Sequence, residues 1–386
     1  MWAFHNPVRI QFGAGVLETL ADSLQGRPYA LVTYSDPVFQ QLSERVAALA
    51  GQPALVIDNI QPNPDFTELE ISCARWMSVE QPPEVIVALG GGSVIDTAKV
   101  LAAADGNFHR VRRFLQQGTG RDELAVVPII AVPTTAGTGS EVTCWATVWH
   151  SEAERKYSLA LPELYPEVAL VDPELTLELP LSLTVSTALD ALSHALESLW
   201  NVNRNPVSSA AAVSAAREII DWLPALVEEP RNLMLRSRIA RAALMAGVAF
   251  SNTKTAIAHN ISYPITLRHG TAHGEACSFT LPTILRAVSG ESAELDALLA
   301  QVFGTPVEVG IEQLEQMLHR LGVSTAYQDY GISDREWHEI VDAAFAGERG
   351  ANFIGKKDRF LAVSDNAQLS NTEIQTKTGA SAHNPL

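Results

Sequence analysis

Apolar residues follow two rhythms along this chain. Through the first half they gather in short unbroken runs, at about 29–33, 54–57, 85–89 and 126–132. Runs of that length suit strands of a parallel sheet covered on both faces. Stretches of helical period lie between them, at about 16–24, 38–50 and 66–78, and the alternation predicts an α/β unit with helical crossovers. Residues 2–12 alternate loosely and predict an edge strand or hairpin. The stretch Gln61-Pro62-Asn63-Pro64 predicts a turn, because each proline moves its predecessor out of the helical region. Residues 169–176 read as the last strand and the passage to a second region. From Ser182 onward helical period dominates, at about 186–200, 207–226, 233–250 and 311–321, with proline and glycine at the ends. The tail from about residue 369 is rich in Ser, Thr, Asn and Gln and is expected to be poorly ordered or draped on the surface.

Charge narrows the partners. The 386 residues include 27 basic and 44 acidic side chains, a net charge of −17, which argues against nucleic acid or an anionic membrane. An anionic small molecule would bind only where local cations reverse that field. Cys73, Cys144 and Cys277 show no CxxC spacing, so neither a disulfide framework nor a zinc knuckle is indicated, and a cytoplasmic setting is expected. The first residues lack a basic start and a long apolar run, and no stretch of about 18 apolar residues occurs, so neither a secretory signal nor a membrane span is expected.

Three stretches carry candidate chemistry. The run at 85–89 leads into Gly90-Gly91-Gly92-Ser93, with Asp96 and Lys99 following. Glycines between a strand and a helix let backbone N–H groups approach a phosphate, and Ser93 can cap the helix. Asp96 either orients the helix start or faces solvent in the first turn. The run at 126–132 ends in Pro133-Thr134-Thr135-Ala-Gly-Thr138-Gly-Ser140-Glu141, a second nest of small donors. Two such loops after two strands suit one extended polar ligand, such as a dinucleotide. In the helical half, Asp190 and His194 stand four residues apart, one turn on a helix face. That spacing serves a surface ion pair or two ligands of a divalent metal, with His259 and His273 available to complete a shell.

Taken in order, the GGGS segment with Asp96 and Lys99, the Pro133–Glu141 loop, Asp190-Ala-Leu-Ser-His194-Ala-x-Glu197 and His273-Gly274 closely resemble the iron-containing (group III) alcohol dehydrogenases, over about residues 5–355. The resemblance implies a Rossmann-like dinucleotide domain over residues 1–178 and an all-helical metal-binding domain over 179–386, the dehydroquinate synthase-like fold, with the active site between them. It implies that Gly91, Gly92 and Ser93 hold the pyrophosphate and that Thr134, Thr135 and Thr138 flank the nicotinamide half. Asp96 is grouped with the cofactor loops, and Asn63 and Lys156 match cofactor-contacting positions. Asp190, His194, His259 and His273 match the four metal ligands. One carboxylate and three imidazoles suit Fe²⁺, Zn²⁺ or Ni²⁺, and the resemblance favours Fe²⁺. The implied partner is a small aldehyde or alcohol, and the implied assembly a homodimer.

Two departures from the family pattern matter. Tyr34-Ser35 follows Val32-Thr33 where many NAD-using members have an Asp, which leaves NADP open beside NAD. Tyr263 stands where several members have a further active-site His, so His269 is the nearest titratable candidate for a proton relay. Lys254, Arg268 and His269 lie near the ligands in sequence and serve either as solvated cations or as a clamp for an anionic tail. The segments 200–206 and 263–270 also resemble the phosphonate-metabolism branch of the family, which reduces phosphonoacetaldehyde. Competing readings are a general primary-alcohol or diol dehydrogenase, a dehydroquinate synthase-like lyase, and a non-catalytic metal- or nucleotide-binding protein.

Overall fold

The computed structural model describes residues 1–153 and 155–365. The tail from 369 therefore lies outside the described residues. Strands β1 (Arg9–Phe12), β2 (Tyr29–Val32), β3 (Leu55–Ile57), β4 (Val85–Gly90), β5 (Ile129–Pro133), β6 (Trp145–His150), β7 (Arg155–Ala160) and β8 (Val168–Val171) follow one another along the chain. Helices α1 (Leu20–Leu24), α2 (Pro37–Ala50), α3 (Phe66–Met77), α4 (Gly92–Ala104) and α5 (Phe108–Gln117) lie among them. Six strands form a parallel sheet in the order β1-β8-β5-β4-β2-β3, and β6 and β7 form a separate antiparallel hairpin. β4 and β5 are fully buried, which is why both read as unbroken apolar runs. Gly90 pairs with Pro133 across them, so the two polar loops that follow start side by side.

Several expected boundaries shift for local reasons. The fourth run begins its strand at Ile129, because Pro128 has no N–H to give the ladder and Val126 is exposed. The last strand stops at Val171, because the Asp172 side chain accepts from the backbone N–H groups of Glu174, Gly15 and Leu17 and starts a 3₁₀ turn. Only Arg9–Phe12 of the first dozen residues is strand, and it is the edge, paired with β8 alone in that sheet. The hairpin of β6 and β7 is an element the strand–helix rhythm did not predict.

The second half is built from α6 (Leu181–Leu199), α7 (Pro206–Glu228), α8 (Leu233–Thr253), α9 (Ile257–His269), α10 (His273–Ser278), α11 (Leu281–Val288), α12 (Ala293–Phe303), α13 (Val307–Arg320) and α14 (Asp334–Ala346). α6 is buried almost throughout from Ala188 to Leu199, at the centre of a core drawn from all these helices. A smaller cluster joins the halves: Val8, Val142, Ala169 and Val171 pack with Ala240 and Leu244 of α8. Gly274 brings α10 onto α6, since a Cβ there would stand 1.7 Å from the Ser186 carbonyl oxygen. No helix among the described residues is long and apolar enough to cross a membrane.

Candidate active site

α6 supplies Asp190 and His194, α9 supplies His259 in its first turn, and α10 begins at His273. Their ring nitrogens converge on one atom. The Nε2 atoms of His259, His273 and His194 lie 3.3, 3.7 and 3.8 Å from Asp190 Oδ1. The two longer distances exceed a hydrogen bond. They approach the about 3.4 Å that separates two ligands of one tetrahedral metal ion. Cys277, one turn after His273, places Sγ 3.7 Å from His273 Nε2. Ligand atoms of Asp190, His259, His273 and Cys277 all fall within 4.8 Å of one another. His194 stands beside this group, its ring stacked on those of His259 and Phe250, and its buried Nδ1 has no hydrogen-bond partner among the described residues.

Glu197 completes the setting and was not among the expected site residues, although its i+3 position after His194 was readable. Its carboxylate is 0% exposed. It accepts from the backbone N–H groups of Ala256, Ala258 and His259, capping the N-terminus of α9, and from His259 Nδ1 at 2.7 Å. That last bond fixes the tautomer: with Nδ1 donating to Glu197, the Nε2 lone pair of neutral His259 faces Asp190. Two lone pairs at 3.3 Å require a cation between them, either a proton or a metal ion.

The charges of the site bear this out. Burial pushes the Asp190 carboxyl up, but the surrounding imidazoles hold it well below the usual carboxylate range. Burial pushes His194 down to about 4, so it is a neutral nitrogen donor. Burial also pushes His259 and His273 down, yet Cys277 and the carboxylates raise His259 well above the ordinary value and His273 to about 8. Burial pushes the Cys277 thiol up, and the two imidazoles bring it down to about 7. Without a metal ion the cluster therefore holds protons that a divalent cation displaces. The donor set of oxygen, imidazole nitrogen and an adjacent sulfur fits a borderline divalent ion such as Fe²⁺, Zn²⁺ or Ni²⁺.

The cofactor loops meet as the register of β4 and β5 dictates. Cβ atoms added at Gly91 and Gly92 would stand 3.1 Å from Thr135 Cγ2 and 2.7 Å from Thr138 Cγ2, so the absence of side chains lets the loops touch. Ser93 Oγ accepts from the backbone N–H of Asn63, whose φ of 62° is left-handed, and Tyr34 lies beside Ser93. Asn63, Gly91, Gly92, Ser93, Thr134, Thr135 and Thr138 thus share one region. The threonine loop reaches the metal helices as well, with Gly137 against Thr187 of α6 and Gly139 against Gly247 of α8.

Asp96 accepts from Ser140 Oγ and from Thr147 N, so it braces the second loop and the hairpin. Lys99, unassigned from the sequence, is 0% exposed and donates to the carbonyls of Ser140 and Trp145, both at 2.7 Å. Together they tie the threonine loop to α4 from beneath.

Tyr263, one turn after His259, lies parallel to the His273 ring with centroids 5.9 Å apart. Burial raises its phenol, but Lys156 and Arg349 overturn that and bring it to about 8. Lys156, on β7, holds Nζ 3.6 Å from the Tyr263 centroid. The hairpin that carries it is fastened to the turn at Asn63, with Trp149 N donating to the Pro64 carbonyl.

Three expected residues are not brought into the site. His269 is ten residues after His259, about 15 Å along the axis of α9, and its Nε2 bonds Glu336 of α14 at 3.0 Å. Arg268 is 62% exposed and faces the same Glu336. Lys254 is exposed and faces Glu348. His269 and Arg268 sit in the last turn of α9 and His259 in its first, so closeness in sequence does not bring them together, while Lys254 ends α8 and turns to Glu348.

Comparison with known proteins agrees with this arrangement. The family model for iron-containing alcohol dehydrogenase matches residues 7–173, and that for the C-terminal part of the same family matches 184–357. The chain is 32% identical to a phosphonoacetaldehyde reductase of Streptomyces viridochromogenes, over 83% of this chain and 82% of the other. It is 32% identical to an NAD-dependent methanol dehydrogenase of Bacillus methanolicus, over 79% and 82%. It superposes on a sulfoacetaldehyde reductase of Bifidobacterium kashiwanohense, solved in complex with NAD⁺, with a TM-score of 0.87 at 29% identity, over 95% and 98%. The chain belongs to the iron-containing alcohol dehydrogenase family and is a metal-dependent, NAD(P)-linked oxidoreductase of alcohols and aldehydes.

Proposed function

We propose that this enzyme interconverts NAD-linked a short aldehyde carrying an anionic group and its alcohol, with phosphonoacetaldehyde as the representative substrate. The observation that carries the chemistry is the convergence of three imidazole nitrogens on Asp190 Oδ1 beside the two cofactor loops. Asp190, His194, His259 and His273 would hold the divalent cation, with Cys277 beside His273 next to that shell. The site lies between a unit proposed over residues 1–178 and one proposed over 179–386, the latter resting on its described residues up to 365. A divalent cation held there would supply Lewis-acid polarisation of a substrate oxygen, and a nicotinamide bound at the two loops would supply hydride chemistry.

The remaining work falls to the chain. Glu197 orients His259, and Asp96 and Lys99 fix the loop that carries Thr134, Thr135 and Thr138. The Tyr263 hydroxyl holds the proton that the substrate oxygen takes or gives. Support for an anionic substrate comes from two similar proteins, one named for phosphonoacetaldehyde and one for sulfoacetaldehyde. Both are two-carbon aldehydes that end in a tetrahedral oxyanion.

A panel of aldehydes with and without anionic tails, run with NADH on Fe²⁺-loaded protein, tests the reading. Higher kcat/KM for phosphonoacetaldehyde than for propanal is expected. Equal values would replace it with a general primary-alcohol dehydrogenase, the reading favoured by the methanol dehydrogenase match. A homodimer in the cytoplasm completes the proposal. It is supported by the sheet-edge position of β1, which exposes Ile10 and Phe12, and by the absence of disulfides at the three buried cysteines. Sedimentation at micromolar concentration tests the assembly.

A further inference from the structure

Two cations from opposite halves of the chain converge on the Tyr263 ring. Lys156 Nζ stands between aromatic faces, 3.6 Å from the Tyr263 centroid and 5.4 Å from that of Trp149. Arg349, just beyond α14, places Cζ 5.0 Å from the Tyr263 centroid. Its Nε donates to Thr255 Oγ1 at 3.0 Å, which fixes the guanidinium and leaves Nη1 and Nη2 without a protein partner among the described residues.

Their isolation is the informative feature. Lys254 and Arg268 are matched to Glu348 and Glu336, whereas among the described residues neither Lys156 nor Arg349 is matched to a carboxylate. In a chain with a net charge of −17, two unmatched cations on one ring are unusual. The ring is parallel to His273, a residue of the metal cluster. Cations left without a counter-ion beside a reacting centre favour an anion supplied by a ligand.

We propose that Arg349, with Lys156 beside it on the Tyr263 ring, forms the subsite for a tetrahedral oxyanion at the far end of the substrate. This rests on the reading of the substrate as a short anionic aldehyde and assigns the group that recognises it. With centroid separations of 5.0 and 5.9 Å, the Arg349 guanidinium lies within about 11 Å of the His273 ring, a span that a two-carbon aldehyde with a terminal oxyanion bridges. The guanidinium fork suits two oxygens of a phosphonate or sulfonate, and Thr255 keeps the fork from turning away. Lys156, against the same ring, adds a point charge.

The test compares wild type with Arg349→Ala, Arg349→Lys and, as a control off the site, Arg268→Ala. Two quantities are read on the metal-loaded enzyme: the ratio of kcat/KM for phosphonoacetaldehyde to that for propanal, and calorimetric binding of methylphosphonate in the presence of NADH. Arg349→Ala is expected to lower the ratio roughly 10- to 100-fold and to weaken methylphosphonate by a similar factor. Arg349→Lys should fall between, because it keeps charge and loses the fork, and Arg268→Ala should leave both readings as in wild type. Thermal melts by circular dichroism establish that each variant folds. A wild-type preference for phosphonoacetaldehyde that survives Arg349→Ala would overturn the subsite while leaving the substrate reading intact. No preference and no methylphosphonate binding in wild type would overturn the substrate reading itself, and the subsite with it.

Discussion

Glu197→Gln removes one charge from the centre of the site while keeping its shape. The carboxylate accepts four hydrogen bonds, from Ala256 N at 2.8 Å, Ala258 N at 2.6 Å, His259 N at 3.3 Å and His259 Nδ1 at 2.7 Å. A glutamine keeps one acceptor oxygen and turns an amide nitrogen toward a donor, so at least one buried N–H loses its partner. That loss costs about 1–3 kcal/mol of folding stability. Charge adds a separate effect on the metal. The carboxylate makes His259 Nε2 more basic and selects the tautomer that presents a lone pair to the cation. Loss of such a partner weakens metal affinity about 10- to 100-fold. The assay is competition for Zn²⁺ against a chelator of known affinity, with thermal unfolding of the metal-free proteins measured in parallel. Expected is a drop in affinity of at least about tenfold together with a lower Tm. Unchanged affinity with a lowered Tm would show that Glu197 serves only to cap α9, and the tautomer argument would fail.

Other outcomes follow from neighbouring geometry. Gly92→Ala puts a methyl 2.7 Å from Thr138 Cγ2 and 3.0 Å from its Oγ1. It is expected to raise the NADH dissociation constant about tenfold or more by parting the two loops, at an overpacking cost of about 1–3 kcal/mol, measured by NADH fluorescence; unaltered binding would mean the loops adjust freely. Tyr263→Phe is expected to abolish a limb in the pH profile of aldehyde reduction. The neutral phenol donates, so wild-type reduction should fall as pH rises through about 8 or somewhat lower, since a bound cation adds to the effect of Lys156 and Arg349. A limb unchanged in the phenylalanine variant would exclude Tyr263 as the proton holder. Metal affinity should weaken as pH falls below about 8, because raised His259 and His273 must lose protons to bind; affinity flat between pH 6 and about 8 would contradict that competition.

How much could be read from the chain alone depends on the range of the interaction. The sheet was legible because parallel strands buried on both faces leave unbroken apolar runs such as Val85–Gly90. The two cofactor loops were legible because Gly91, Gly92 and the threonines are short-range signals set directly after strands. Asp190 and His194 were legible as an i,i+4 pair, but the approach of His273 depends on Gly274 meeting Ser186, which no local pattern announces. The hairpin of β6 and β7 carries a readable alternation, Ala146 and Val148 buried against half-buried Trp145 and Thr147, yet it lies outside the strand–helix rhythm. Asp96 reads either as a group orienting the helix start or as a solvent-facing acid of the first turn, and Lys99 carries no reading; their bracing role exists only where Ser140 and Trp145 fold over them. Arg349 is 86 residues beyond Tyr263 in sequence, and only tertiary packing joins them.

The most direct measurement of the central claim is X-ray absorption at the zinc edge on protein loaded with one equivalent of Zn²⁺, supported by metal analysis of wild type, His194→Ala and Cys277→Ala. A shell of nitrogen and oxygen alone at about 2.0–2.2 Å is expected, with one ion per chain, weakened by His194→Ala and retained in Cys277→Ala. A sulfur scatterer at about 2.3 Å, lost in Cys277→Ala while His194→Ala binds as wild type does, would contradict the assignment of Asp190, His194, His259 and His273.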